Sequence, residues 1–127
     1  MIKVFVSGCY DILHAGHIDF FEQAKALGDY LIVSFASDEV LVKYKNRKSS
    51  LPEAHKRKIL ESIQLVDKVV MGKNLQLEGI DFYENFLIEK PDVLAVTQDD
   101  KFSDKKQKLC AEYGCQYVVL QIGRAHV

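Results

Sequence analysis

Apolar runs and amphipathic stretches alternate along the chain. Residues 2–6 are almost wholly apolar and read as a buried strand. Ile18, Phe21, Ala24 and Leu27 then recur three apart, which predicts a helix with one apolar face, ended by Gly28. Residues 30–35 form a second apolar strand. One crossover helix between two such strands makes a βαβ unit and implies a right-handed parallel crossing. Another helical turn begins at Ser37-Asp38-Glu39, and Val40, Leu41 and Val42 carry it into a loop over residues 43–49. Ser50-Leu51-Pro52-Glu53 has the form of a capping box with proline in the first turn. It predicts a helix that turns Ile59, Leu60, Ile63 and Val66 inward and ends at Asp67. Residues 69–71 are a short third strand, and 72–79 a loop. Residues 80–89 are helical, with Phe82, Phe86 and Tyr83 as the apolar stripe. Residues 93–96 are a fourth strand, 103–113 a charged amphipathic helix closed by Gly114, and 116–120 a fifth strand. This order predicts a single α/β domain with a doubly wound, parallel, five-stranded sheet.

Composition changes this picture little. Of 127 residues, 48% are hydrophobic, enough to fill one core. The formal net charge of −1 gives no global attraction to nucleic acid or to a membrane surface. The positive charge is gathered instead: Lys43, Lys45, Arg47, Lys48, Lys56, Arg57 and Lys58 fall in one stretch whose only acid is Glu53. That suits a small polyanion better than a long nucleic acid. Cys9, Cys110 and Cys115 are an odd set without paired spacing, which predicts reduced thiols and a cytoplasmic protein. No apolar run approaches the length of a membrane span.

The chemistry gathers where the first strand hands over to the first helix, in Gly8-Cys9-Tyr10-Asp11-Ile12-Leu13-His14-Ala15-Gly16-His17. In a parallel sheet this is the carboxyl end of a strand, where open α/β folds bind ligands. The helix start supplies backbone N–H donors and the positive end of a dipole. Gly8 and Gly16 allow close approach of a phosphate, and His14 and His17 can donate to phosphate oxygens. Neither G-x-G-x-x-G nor G-x-x-x-x-G-K-[ST] is present. Zinc at Cys9, His14 and His17 is disfavoured because no tetrahedral set with close spacing exists. A Cys9–His14 nucleophile pair lacks any group to orient the base. Asp99-Asp100 follows the fourth strand at the same sheet edge, where an ordinary surface turn is the plainer reading of the pair alone.

The H-x-G-H of residues 14–17 resembles the signature of the cytidylyltransferase-like nucleotidyltransferases. The likeness extends through Gly28-Asp29-Tyr30-Leu31-Ile32-Val33, Ser37-Asp38-Glu39, residues 56–63 and residues 66–70. It resembles both the glycerol-3-phosphate cytidylyltransferase branch and the adenylyltransferase domain that forms ADP-heptose. The resemblance implies a Rossmann-like fold and transfer of AMP or CMP to a small phosphorylated sugar or alcohol, with release of pyrophosphate. It leans to a sugar-phosphate adenylyltransferase, with the cytidylyl branch next and a nucleotide-binding module without turnover as the rival from another class. It implies that His14 and His17 contact the triphosphate, and that Lys43 and Lys45 hold the triphosphate or the acceptor's phosphate. Lys56 or Arg57 would serve the substrate phosphate. Gly8, Cys9, Tyr10, Asp11 and Gly16 would lie along the nucleotide, with Asp99 and Asp100 near its base and ribose. Asp11 would help place Mg2+, directly or through water. The partners implied are ATP or CTP, the acceptor and a second copy in a homodimer, with neither nucleic acid nor membrane. The family continues past the last strand with a hydroxyl-rich phosphate segment, whereas here residues 121–127 read Gln-Ile-Gly-Arg-Ala-His-Val. The resulting expectation is a nucleotidyltransferase domain over residues 1–120 and a non-native tail, so that Arg124 inherits no role.

Overall fold

Five strands form one parallel sheet in the order β3-β2-β1-β4-β5, in a computed structural model that describes residues 1–122. The strands are β1 (Lys3–Gly8), β2 (Tyr30–Ala36), β3 (Lys68–Gly72), β4 (Val93–Thr97) and β5 (Gln116–Leu120). The helices are α1 (Ala15–Lys25), α2 (Asp38–Lys45), α3 (Glu53–Glu61), α4 (Tyr83–Glu89) and α5 (Ser103–Tyr113). The expected tail falls mostly on residues 123–127, which lie outside the described residues, as does Arg124.

The strands are apolar on both faces because both faces are covered. Val4 and Val6 point one way, into a core with Phe21, Leu31, Val33 and Leu60. Phe5, Ile32 and Leu94 point the other way, against Phe82, Phe86 and Leu109. The strand order reverses at β1. There β1 pairs with β2 over its whole length but with β4 only at Val4–Val93 and Phe5–Leu94. The carboxyl ends of β1 and β4 therefore part, and they open the crevice in which such folds hold ligands.

Four local expectations change. The capping box at Ser50 and Glu53 does not form: α3 starts after Pro52 without a side-chain cap. Glu53 instead accepts the Asp38 N–H of α2 at 2.6 Å, and the Ser50 backbone N–H donates to Asp11 at 2.6 Å. Tertiary partners outbid the local cap. The inward face of α3 is set by Lys56 and Leu60, four residues apart and both buried, whereas Ile59 stands 41% exposed. α3 also stops at Glu61 rather than Asp67. Residues 62–66 wind on through i→i−3 bonds from Ile63 to Leu60 and from Val66 to Ile63, which frees Asp67 to accept the Leu31 N–H at 2.8 Å. The α4 helix begins at Tyr83, with Phe82 as a fully buried N-cap residue.

Phe82 packs 5.2 Å from the Phe5 ring and 6.3 Å from Phe86, centroid to centroid. Phe82→Ala should cost about 3–5 kcal/mol of stability by urea unfolding, the usual range for emptying a buried aromatic site.

Candidate active site

The two histidines of the motif build the start of α1. His14 is its N-cap, and the Gly16 N–H donates to His14 Nδ1 at 3.0 Å. In return the His14 N–H donates to His17 Nδ1 at 3.2 Å. This is a capping box made from imidazoles, where serine or threonine and glutamate are usual. Each Nδ1 is an acceptor, so each ring carries its proton on Nε2. The rings lie 4.2 Å apart, centroid to centroid. A side chain at Gly16 would put a Cβ 2.8 Å from His14 Cε1, so glycine is what admits the cap. No acid stands in the first turn of α1, which leaves the positive end of its dipole uncompensated.

The preceding loop is propped from below. Tyr10 takes φ = 50°, a left-handed conformation that costs a non-glycine residue energy. Its ring is buried 5.5 Å from Phe21 and 5.6 Å from His17, and burial pushes its hydroxyl pKa up. Lys56, 2% exposed, donates to the Cys9 carbonyl at 3.1 Å and lies 5.6 Å from the centre of the Phe35 ring. Tyr10 and Lys56 thus act as supports beneath the loop.

Asp11 ties the loop to the residues before α3. It accepts from Ser49 Oγ at 2.6 Å, the Ser50 N–H at 2.6 Å and Arg47 at 2.9 Å. These bonds, the Ser49 hydroxyl foremost and acting against desolvation, hold its pKa down at about 2. Among the described residues no three His, Cys, Asp or Glu gather as a metal cage. The carboxylate expected to help place magnesium, directly or through water, is thus engaged by these loop donors.

These elements line a cleft of about 530 Å³ that reaches from His14, His17 and Arg47 to Thr97, Asp99 and Ile122. Asp100 is held by Lys106 at 3.1 Å, by the Tyr117 hydroxyl at 3.1 Å and by the Phe102 N–H at 3.1 Å. Gln98 exchanges two 3.3 Å bonds with the backbone of Ile122, which fixes the segment after β5 over the cleft. A second cleft of about 460 Å³ shares the wall of Ser7, Gly8, Cys9, Asp99, Asp100 and Lys106.

The basic stretch does not converge as expected. Lys43 donates to the Leu75 carbonyl at 2.5 Å, away from the histidines. Arg57 donates to the Val69 carbonyl at 2.9 Å and stacks over Phe35. Lys45 lines the second cleft, and Arg47 lines the first. Sequence reading missed Lys106, which sits on a charged helix with nothing to mark it as buried, and Asp81, which lies in a loop.

A family model described as cytidylyltransferase-like matches residues 5–122. A curated relative, the FAD synthase of Pyrococcus horikoshii, is 42% identical over 110 residues, which is 85% of this chain and 72% of that protein. The FAD synthase of Aciduliprofundum boonei is 32% identical over 123 residues, 96% of this chain and 78% of that protein. Among solved structures, the lipopolysaccharide core biosynthesis protein of Thermoplasma volcanium superposes with a TM-score of 0.77 at 27% identity, over 97% of each chain. No helix of the described residues is long and apolar enough to cross a membrane.

Two outcomes follow for the histidines. Burial, and then the neighbouring His14, lower the pKa of His17. Its share of stability is therefore complete above the ordinary imidazole value of about 6.5 and is lost as pH falls below it. A histidine NMR titration should show His17 titrating below that value. His14→Asn retains a good N-cap and should keep the urea midpoint near wild type, whereas His14→Ala should cost about 1 kcal/mol. Both should lose nucleotide-dependent activity alike, because neither restores the Nε2–H donor.

Proposed function

The chain belongs to the cytidylyltransferase-like family of nucleotidyltransferases, and on that footing we propose that it transfers the adenylyl group of ATP to flavin mononucleotide, forming FAD and pyrophosphate. The observation that carries this reading is the reciprocal cap of His14 and His17. It leaves an Nε2–H donor on each of two rings that line one cleft, at the positive end of the α1 dipole. Such an arrangement is built for phosphate oxygens. The choice of acceptor rests on the FAD synthase relatives, more similar to this chain than the solved lipopolysaccharide-core protein. That protein's name keeps a sugar phosphate as the second reading, the one toward which the sequence motifs lean.

The reaction requires alignment more than covalent chemistry. A phosphate oxygen of the flavin nucleotide attacks the α-phosphorus of ATP. The new P–O bond forms as the bond to the bridging α,β-oxygen breaks, and that oxygen leaves with the electron pair on pyrophosphate. No proton need be removed from a phosphate nucleophile at neutral pH. His14 and His17 donate to the non-bridging oxygens as charge builds on them, and the α1 N-terminus adds to that field. Magnesium enters with the nucleotide as part of the substrate, neutralising its phosphates. Arg47, which already lines the cleft, exchanges Asp11 for a phosphate oxygen when the nucleotide binds.

Incubating the chain with Mg-ATP or Mg-CTP and, in turn, flavin mononucleotide, glycerol 3-phosphate or heptose 1-phosphate separates the readings. The expected result is FAD, with pyrophosphate, from ATP and flavin mononucleotide alone, and a drop of roughly 10²–10³-fold in kcat for His17→Ala. Pyrophosphate release with a different pair replaces the substrate assignment. Nucleotide binding without any release makes the chain a binding module.

A further inference from the structure

The wall that the two clefts share carries three charged residues, Asp99, Asp100 and Lys106. Asp99 and Asp100 belong to the turn that follows β4, which the Asp100 N–H closes on the Thr97 carbonyl at 3.3 Å. Thr97, Gln98, Asp99 and Asp100 all line the histidine cleft. The Asp100 side chain is 8% exposed and pins this turn to two other elements. From α5 and the residue before it come Lys106 Nζ and the Phe102 N–H, each 3.1 Å from Oδ1. From β5 comes the Tyr117 hydroxyl, 3.1 Å from Oδ2. A carboxylate only accepts, so Tyr117 gives its one proton there, and its oxygen is left to accept from Ser103 Oγ, 3.0 Å away. Gln107 Nε2 donates in turn to Ser103 at 2.8 Å.

Lys106 stands where two local rules disfavour a lysine. It is buried, and an ammonium is costly to bury. It is the fourth residue of α5, at the end of the first turn, where the helix dipole repels a cation. Helix stability therefore does not explain it. The pair with Asp100 and the Phe82 ring, 5.9 Å from Nζ, offset these costs. Sequences depart from such local rules where a function requires it. The requirement is visible in the charge of the shared wall. With Lys106 the wall carries one net negative charge, and without it two, beside a cleft read as taking a triphosphate. The reaction chemistry set out for the histidines makes no use of this pair.

We propose that Lys106 is a positioning residue for the nucleotide: through Asp100 it holds the turn after β4 against α5 and β5, and it cancels the Asp100 charge so that a triphosphate can enter the histidine cleft. It acts through Asp100 and touches no reacting atom. The proposal rests on the reading of that cleft as the nucleotide site and is independent of which acceptor is used. Loss of the ammonium leaves a buried carboxylate short of a partner. The turn then loosens from α5, and the uncancelled charge faces the phosphates. The cost falls on nucleotide binding rather than on the chemical step.

A double-mutant cycle on Mg-ATP binding, by calorimetric titration of the full chain, tests it, with kcat and KM for pyrophosphate release alongside and urea unfolding as the control for an intact fold. Lys106→Met should weaken Mg-ATP binding about tenfold or more, the scale of one uncompensated charge at a low effective dielectric, and raise KM with kcat little changed. In an Asp100→Asn background, which has no charge to cancel, the same substitution should cost little. Lys106→Gln, which keeps a donor for Asp100 and removes only the charge, gives the same cycle where the methionine variant does not fold. An equal loss in both backgrounds means that the ammonium meets the nucleotide itself, and overturns the positioning role. Unchanged binding in the Lys106 variants, or a fall in kcat with KM unaltered, overturns it too. Each of these failures, with wild-type binding intact, leaves the nucleotide reading of the cleft standing. Absence of Mg-ATP binding by the wild-type chain removes that reading and the proposal with it.

Discussion

Two backbone N–H groups, those of His14 and Gly16, hold the nitrogen atoms on which the site depends. Each donates to an imidazole Nδ1, so the helix cannot begin without orienting both rings, and the rings cannot turn without uncapping the helix. One pair of hydrogen bonds therefore performs a structural and a chemical task. It satisfies N–H groups that every helix start leaves open. It also fixes the tautomer that presents Nε2–H to a ligand. The geometry is set before any ligand arrives, which is the condition under which donors contribute most to stabilising developing charge.

The loop before that helix is held in an unfavourable conformation at Tyr10 and is braced at three points. Tyr10 is wedged between His17 and Phe21, Lys56 reaches up to the Cys9 carbonyl, and Asp11 is tied to Arg47, Ser49 and Ser50. A buried lysine used in this way is costly unless its ammonium is well partnered, and the carbonyl and the Phe35 face supply that partnering. The divergence of β1 from β4 then gives the braced loop an open crevice to face. Fold, loop and cleft thus share one origin, the reversal of strand order at β1.

Much of the fold was legible because strands buried on both faces and amphipathic helices leave plain periodicities. α5 and β5 fall on the residues expected, and H-x-G-H lies where a strand meets a helix. What was not legible depends on partners distant in sequence. Ser50 and Glu53 read as a cap because nothing local reveals Asp11, 39 residues away from Ser50, or the Asp38 N–H, 15 residues away from Glu53. Lys56 read as one of a basic stretch and a candidate for the substrate phosphate, because nothing local marks a lysine as buried; its inward position took the place that Ile59 was expected to share. The basic stretch read as one anion-binding patch, yet Lys43 and Arg57 are spent on backbone carbonyls. Asp81 and Lys106 carry no signal in the sequence, since a loop aspartate and a lysine on a charged helix are ordinary.

The account stands on the claim that the imidazole cap at α1 receives the triphosphate. A crystal structure of the chain with a non-hydrolysable ATP analogue and magnesium tests that claim most directly. It predicts phosphate oxygens within hydrogen-bond distance of His14 Nε2 and His17 Nε2, with both Nδ1 bonds intact and Arg47 drawn from Asp11 toward the phosphates. A triphosphate seated away from the start of α1, or imidazoles turned so that Nδ1 faces it, would contradict the account.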